Sequence, residues 1–138
     1  MAASEIHFQS DTFRPFLPEA CQTNPGVYGF ELAAWLAEAL ARQGVITSYP
    51  VAEDWGWFIE YTAKDVVIMI CCGSIVDVDE RGAIVEPIEW VISLVPRTSW
   101  FRRLKPEQLR AVQNHLTDQI TTALRAIHAH IWECCTSW

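Results

Sequence analysis

Glu53, Asp54, Trp55, Gly56 and Trp57 stand in one unbroken run. Two carboxylates beside two indoles can hold a cation or a basic side chain, by charge pairing at the acids and cation–π attraction at the rings. Gly56 would let a backbone or a ligand come close. The same residues also admit a purely structural use, with the acids in the turn before a strand and the indoles packed under helices. As a catalytic pair the two acids are badly arranged, because neighbours on a strand point to opposite faces. A second acidic run holds Asp77, Asp79 and Glu80 in the polar string DVDERG. A basic run, RTSWFRRLK, sets Arg97, Arg102, Arg103 and Lys105 around Trp100 and Phe101. Such a cluster suits a phosphate, an acidic partner or, with its aromatics, single-stranded nucleic acid. It equally suits a solvated connection whose arginines pair with the acidic runs.

Other chemistry finds little support in the residues. No serine lies in a G-x-S-x-G context, and no glycine-rich loop could cradle a phosphate. We therefore assign no catalytic residue and no cofactor, and the chain reads as a binding protein rather than an enzyme. There are five cysteines, Cys21, Cys71, Cys72, Cys134 and Cys135. An odd count in adjacent pairs argues against a disulfide framework and for small apolar core residues. The string HAHIWECC invites a metal reading, but it has neither Cys-x2–4-Cys nor His-x3–5-His spacing. On a helix His128 and His130 would point about 200° apart. The expectation is no metal.

These residues need a scaffold. Residues 29–43 carry an apolar stripe, Leu32, Trp35, Leu36, Ala39 and Leu40, at steps of three and four. Arg42 suits the negative end of that helix, and Gly44 suits the left-handed position after it. Residues 106–130 read as a longer helix, opened by Pro106 and Glu107, with a stripe that runs from Leu109 through Ile127 to Ile131. Between them the period changes to two. Residues 45–49 read as a short strand ended by Pro50. In 55–62, Trp55, Trp57, Ile59 and Tyr61 fall on one face, with Phe58, Glu60 and Thr62 on the other. The run VVIMICC at 66–72 is apolar throughout, as in a strand covered on both faces. Residues 83–95 alternate again, interrupted by Pro87. Ile6 and Phe8 mark a short edge strand at 5–9, and 132–138 a final one. Short connections favour antiparallel pairing. The sum is a single α+β domain over 1–138. It is a two-layer sandwich of an antiparallel sheet of three to five strands with two helices, at about 29–43 and 106–130, on one face.

The 138 residues are 51% hydrophobic and 20% charged, which excludes a disordered chain. Net charge is −7 and is segregated: residues 1–96 hold four basic and fourteen acidic residues, and the remainder six and three. This argues against general nucleic-acid binding and is compatible with a basic partner. No stretch reaches the roughly 18 apolar residues of a membrane span, and no basic start leads into a long apolar run. The expected location is the cytoplasm.

Tyr28, Gly29, Glu31, Leu32, Ala33, Trp35, Leu36 and Ala37, then Pro50, Glu53, Asp54, Trp55, Gly56 and Trp57, spell Y-G-x-E-L-A-x-W-L-A followed by P-x-x-E-D-W-G-W. This double signature resembles that of a group of small uncharacterised bacterial proteins, over about half the chain. The resemblance implies a bacterial or phage cytosolic protein and brings no activity with it. It lends weight to Glu53–Trp57 as a site, and a structural corner would explain the recurrence equally well.

Three readings follow. The first is a non-catalytic inhibitor of a basic protein partner, of the immunity-protein kind. Its contact surface comprises Glu53, Asp54, Trp55, Trp57, Asp77, Asp79 and Glu80, with Arg97, Trp100, Arg102 and Arg103 as further binding candidates. The second is a small-molecule-binding domain or small enzyme with a pocket lined by Trp55, Trp57 and Arg97. The third is a homo-oligomeric structural protein.

Overall fold

The structure, a computed structural model, describes residues 4–13, 28–63, 66–82, 84–97 and 106–135. Its elements in chain order are β1 (Ser4–Gln9), α1 (Phe30–Arg42), β2 (Val51–Glu53), β3 (Gly56–Ala63), β4 (Val66–Val78), β5 (Ile84–Pro96), α2 (Pro106–Ala126) and β6 (His130–Cys135).

The helices begin and end where local chemistry directs. At the C-terminus of α1, Gly44 N–H donates to Ala41 O (3.0 Å) and Val45 N–H to Leu40 O (2.8 Å), with Gly44 at φ 86°. This is the Schellman arrangement, closed by the buried apolar pair Val45 and Leu40. The stripe on α2 suggests a helix to residue 130, yet it stops at Ala126 through the same device. His128 N–H donates to Arg125 O (3.0 Å) and Ala129 N–H to Leu124 O (3.1 Å). Here a histidine at φ 58° occupies the left-handed position. Periodicity continues past the turn, but the backbone does not.

The strands form one six-stranded sheet in the order β2-β3-β4-β5-β1-β6, with every neighbouring pair antiparallel. The count exceeds the expected three to five, because β2 is only three residues long and β1 and β6 lie far apart in sequence. The segment at 45–49 forms no strand; it runs beside β3, with Ser48 N–H donating to Glu60 O (2.9 Å). Nor is β1 an edge strand. It lies between β5 and β6, with Ile6 opposite Ile92 and Cys134. Pro87 does not break β5, because the β4–β5 register slips between Ile75 and Asp77, opposite the stretch containing it. A proline without an N–H is tolerated at such an irregularity.

Topology puts the helices together. β1 and β2 run in the same direction, as do β5 and β6, so α1 and α2 are both crossovers. They leave strands of opposite direction and move to opposite sides of the sheet. Crossovers of one hand must then share a face, and right-handed connections are the rule. Accordingly α1 and α2 touch each other and both touch β4. On that face Ile59, Ile68, Ile70, Cys72, Trp90, Ile92, Leu94, Ile6 and Phe8 meet Leu32, Leu36 and Leu40 of α1 and Leu109, Leu116, Ile120 and Leu124 of α2. Each large side chain so buried contributes roughly 1.5–3 kcal/mol.

The opposite sheet face carries no helix among the described residues and is called the open face. Val67, Met69 and Cys71 on β4 and Val91 and Ser93 on β5 are partly exposed there, and Val95 is exposed. Among the described residues, helices therefore cover the apolar run at 66–72 on one face only. The open face also carries charge. His7 sits between Glu5 and Glu89, with Nε2 and Nδ1 each 3.2 Å from a carboxylate oxygen, and Arg97 pairs with Glu60.

Two stability predictions arise. A Cβ on Gly29 would stand 2.5 Å from the carbonyl oxygen of Cys72, whereas one on Gly82 (φ 79°) meets nothing within 4 Å. In urea unfolding, Gly29→Ala should cost about 2–3 kcal/mol, as overpacking does, against about 1 kcal/mol for backbone strain in Gly82→Ala. Equal losses would refute the close packing. Gln113 is fully buried on α2, and neither Nε2 nor Oε1 has a hydrogen-bond partner among the described residues. Gln113→Met should raise stability by about 1 kcal/mol, since an unsatisfied buried polar group costs roughly 1–3 kcal/mol.

Candidate functional site

The turn between β2 and β3 divides the run Glu53–Trp57. Glu53 ends β2 opposite Gly56, which begins β3. Asp54 and Trp55 form the turn itself, and all three residues 53–55 are exposed. Gly56 takes φ 151°, and a Cβ there would meet the carbonyl oxygen of Cys72 at 2.8 Å. The two-residue alternation expected across Trp55 and Trp57 fails at this turn, and the indoles part. Trp57 turns to the helix face, its ring 5.1 Å from that of Phe30 at 66°. Its Nε1 is buried without a hydrogen-bond partner among the described residues. Trp55 remains 47% exposed, its ring 6.2 Å from Phe58 at a tilt of 33°. Phe58 belongs to the open face, between Val51 and Cys71 in register, and is itself buried. The indoles therefore do not form one platform. Trp55 is an exposed ring on an aromatic base beside two exposed carboxylates, and Trp57 is the wedge that seats this corner under α1.

The other candidates are distributed. Asp79 and Glu80 are exposed at the β4–β5 hairpin, where Arg81 N–H donates to Asp79 Oδ1 (2.8 Å) and Gly82 N–H to Asp79 O (3.0 Å). Asp77 enters through its backbone, opposite Val85. Gly56 lies against Gly73, so this hairpin tip lies at the same end of the sheet, roughly 20 Å further along β4 at 3.3 Å per residue. Arg97 lies on the open face, its N–H bonded to Val67 O (2.8 Å) and its guanidinium to Glu60. Trp55 and Arg97 thus share a face that Trp57 does not, and the three do not line one pocket. Trp100, Arg102, Arg103 and Lys105 lie outside the described residues.

No protein-family model, curated protein or solved structure matches this chain.

Two recesses were not foreseen. One, of about 360 Å³, is lined by Gln9, Ser10, Asp11, Thr12, Ile127 and His128. The other, of about 420 Å³, lies between α1 and the segment leading into β2. Reading 45–49 as a strand hid the second, because an alternating strand would have turned Ile46 and Tyr49 to opposite faces. No three His, Cys, Asp or Glu side chains gather as a metal site among the described residues, and no helix there is long and apolar enough to cross a membrane.

Of the adjacent cysteines of β4, Cys72 is a core residue and Cys71 is partly exposed on the open face. Burial pushes the Cys71 thiol up to about 11, and burial together with the neighbouring Cys71 charge pushes Cys72 higher still. Neither is poised as a nucleophile or a metal ligand, both of which need the thiolate. At pH 8 the thiolate fraction of Cys71 falls about 100-fold relative to a thiol at 9.0. The greater nucleophilicity of a more basic thiolate returns roughly tenfold. Iodoacetamide labelling of the Cys71–Cys72 peptide, followed by mass spectrometry, should therefore be at least about tenfold slower in native protein than in urea. Equal rates would show the thiols to be open and reactive.

Proposed function

We propose that this protein is a non-catalytic, immunity-like inhibitor that binds a basic protein partner through the β2–β3 turn. The observation that carries this reading is the exposed Trp55 ring, seated on buried Phe58 and flanked by exposed Glu53 and Asp54. Aromatic residues on rigid elements dominate binding energies at protein interfaces, and an indole beside carboxylates favours Lys or Arg from the partner. Asp79 and Glu80, exposed at the same end of the sheet, extend the negative field. The net charge of −7 speeds encounter with a positive surface. Trp57 acts within this reading as a positioning residue and not as a contact.

The small-molecule reading has less support, since Trp57 faces away from Trp55 and Arg97. Binding without catalysis also fits a protein that acts in the cytoplasm by occupying its target.

The test uses the full chain as bait for protein from cells of its source, beside Trp55→Ala and the double variant Glu53→Lys/Asp54→Lys. The retained partner should be basic. Trp55→Ala should weaken it about 30-fold, as loss of a 2 kcal/mol anchor does. The double reversal should slow association and weaken its salt dependence. A partner held equally well by all three proteins overturns the assignment of this corner.

A further inference from the structure

β2 is the terminal strand of the sheet, and its outer backbone edge has no strand beside it among the described residues. That edge is longer than its three-residue ladder. Ser48 N–H donates to Glu60 O (2.9 Å) and Glu60 N–H to Ser48 Oγ (2.8 Å), so the chain follows β3 from residue 48 to residue 53. Beside this edge lies the recess of about 420 Å³, walled by Ala34, Ala37, Glu38 and Ala41 of α1 and by the segment 46–50; Glu38 is paired with Arg42, and the other helix residues are small and apolar. Small side chains on the helix keep it open. Around it the surface is unusually apolar: Ile46 is 68% exposed, Tyr49 90%, Val51 44% and Trp55 47%. Four of the six large exposed apolar side chains among the described residues thus fall within ten positions of one edge.

Resting on the binding role proposed above, we infer that the partner contributes an extended segment that adds as a further strand along β2, with apolar and basic residues in alternation. Edge addition of this kind draws affinity from main-chain hydrogen bonds and specificity from pockets for alternate side chains. A strand sends successive side chains to opposite faces. On the helix side they would enter the alanine-walled recess, which takes apolar groups. On the other side they would pass Val51, Glu53 and Trp55, where charge pairing and the indole face take Lys or Arg. Charge also decides against a second copy of this chain. A second copy would bring its own net charge of −7 to this acidic corner, and like charges across an interface are costly.

The experiment is selection of a random twelve-residue peptide display library on the folded full chain. Enriched peptides are then synthesised and measured by fluorescence anisotropy against wild type, Ala41→Lys and Tyr49→Ala. Ala41 and Tyr49 are both exposed, so thermal melting of both variants should match wild type. The expected result is enrichment of alternating apolar and Lys/Arg residues over at least five positions. Binding should weaken tenfold or more in each variant, with slowed amide exchange at residues 51–53 in the complex. Failure to enrich any sequence, enrichment without alternation, or binding indifferent to both variants overturns the inference. So does a concentration-dependent dimer of the free protein that Ala52→Pro abolishes. Capture of a basic protein that needs Trp55 but ignores Ala41→Lys and Tyr49→Ala would leave the binding role standing and remove only this strand addition.

Discussion

The carbonyl oxygen of Cys72 is approached closely by two other parts of the chain, and each approach requires a residue without a Cβ. Gly29 reaches it from the start of α1 and Gly56 from the start of β3. Around this point the first turn of α1, the middle of β4 and the corner after β2 are held within van der Waals distance. Tyr28 N–H donates to Ser74 Oγ (3.2 Å) on the same stretch of β4, and Phe30 packs on Trp57. The display of Trp55 depends on this knot, since Gly56 fixes where the turn leaves the sheet. The glycines and Trp57 of the double signature thus converge, which is a structural reason for their spacing. Glu53, Asp54 and the Trp55 ring are exposed beside the knot.

The sheet separates two tasks. Its helix face is dry and carries the hydrophobic core. Its open face mixes apolar side chains with polar pairs, the ion pair of Arg97 with Glu60 and the contacts of His7 with Glu5 and Glu89. Such exposed pairs add little to stability, but they keep a broad apolar sheet compatible with water. The segment from Ile46 to Trp55 lies at the margin of both faces. Its exposed side chains have little part in the core, so they are free to be shaped by whatever they meet.

Much of this architecture is legible in the sequence. The stripe from Leu32 to Leu40 and the stop at Gly44 are both realised, because apolar spacing and a left-handed glycine act locally. The α+β class follows from the change in period between the helices. The failures have physical causes. His7 and Gln9 alternate with core residues because they face an open surface, and that pattern resembles an edge strand although β1 is flanked on both sides. The run VVIMICC gives no sign that, among the described residues, helices cover only one of its faces. Alternation through Trp55 assumes an uninterrupted strand, which the Asp54–Trp55 turn and Gly56 deny. The pattern runs past the end of α2 because His128 holds a conformation usually left to glycine or asparagine. As for the site, the acids and Trp55 can be recognised from residue type alone. The recess behind them cannot, since it depends on where the loop at 46–50 lies against α1.

The position of β1 affects the order in which this protein is made. Its ladder partners are β5 and β6, with Gln9 opposite Glu89. A nascent chain must therefore carry the first strand unpaired while about eighty further residues emerge, roughly 4–16 s at 5–20 residues per second. During that interval Ile6 and Phe8 have no core to enter, and the meander from β2 to β5 can assemble without them. An unpaired apolar strand is open to aggregation for that long, so shielding of this short segment during synthesis would favour the finished fold.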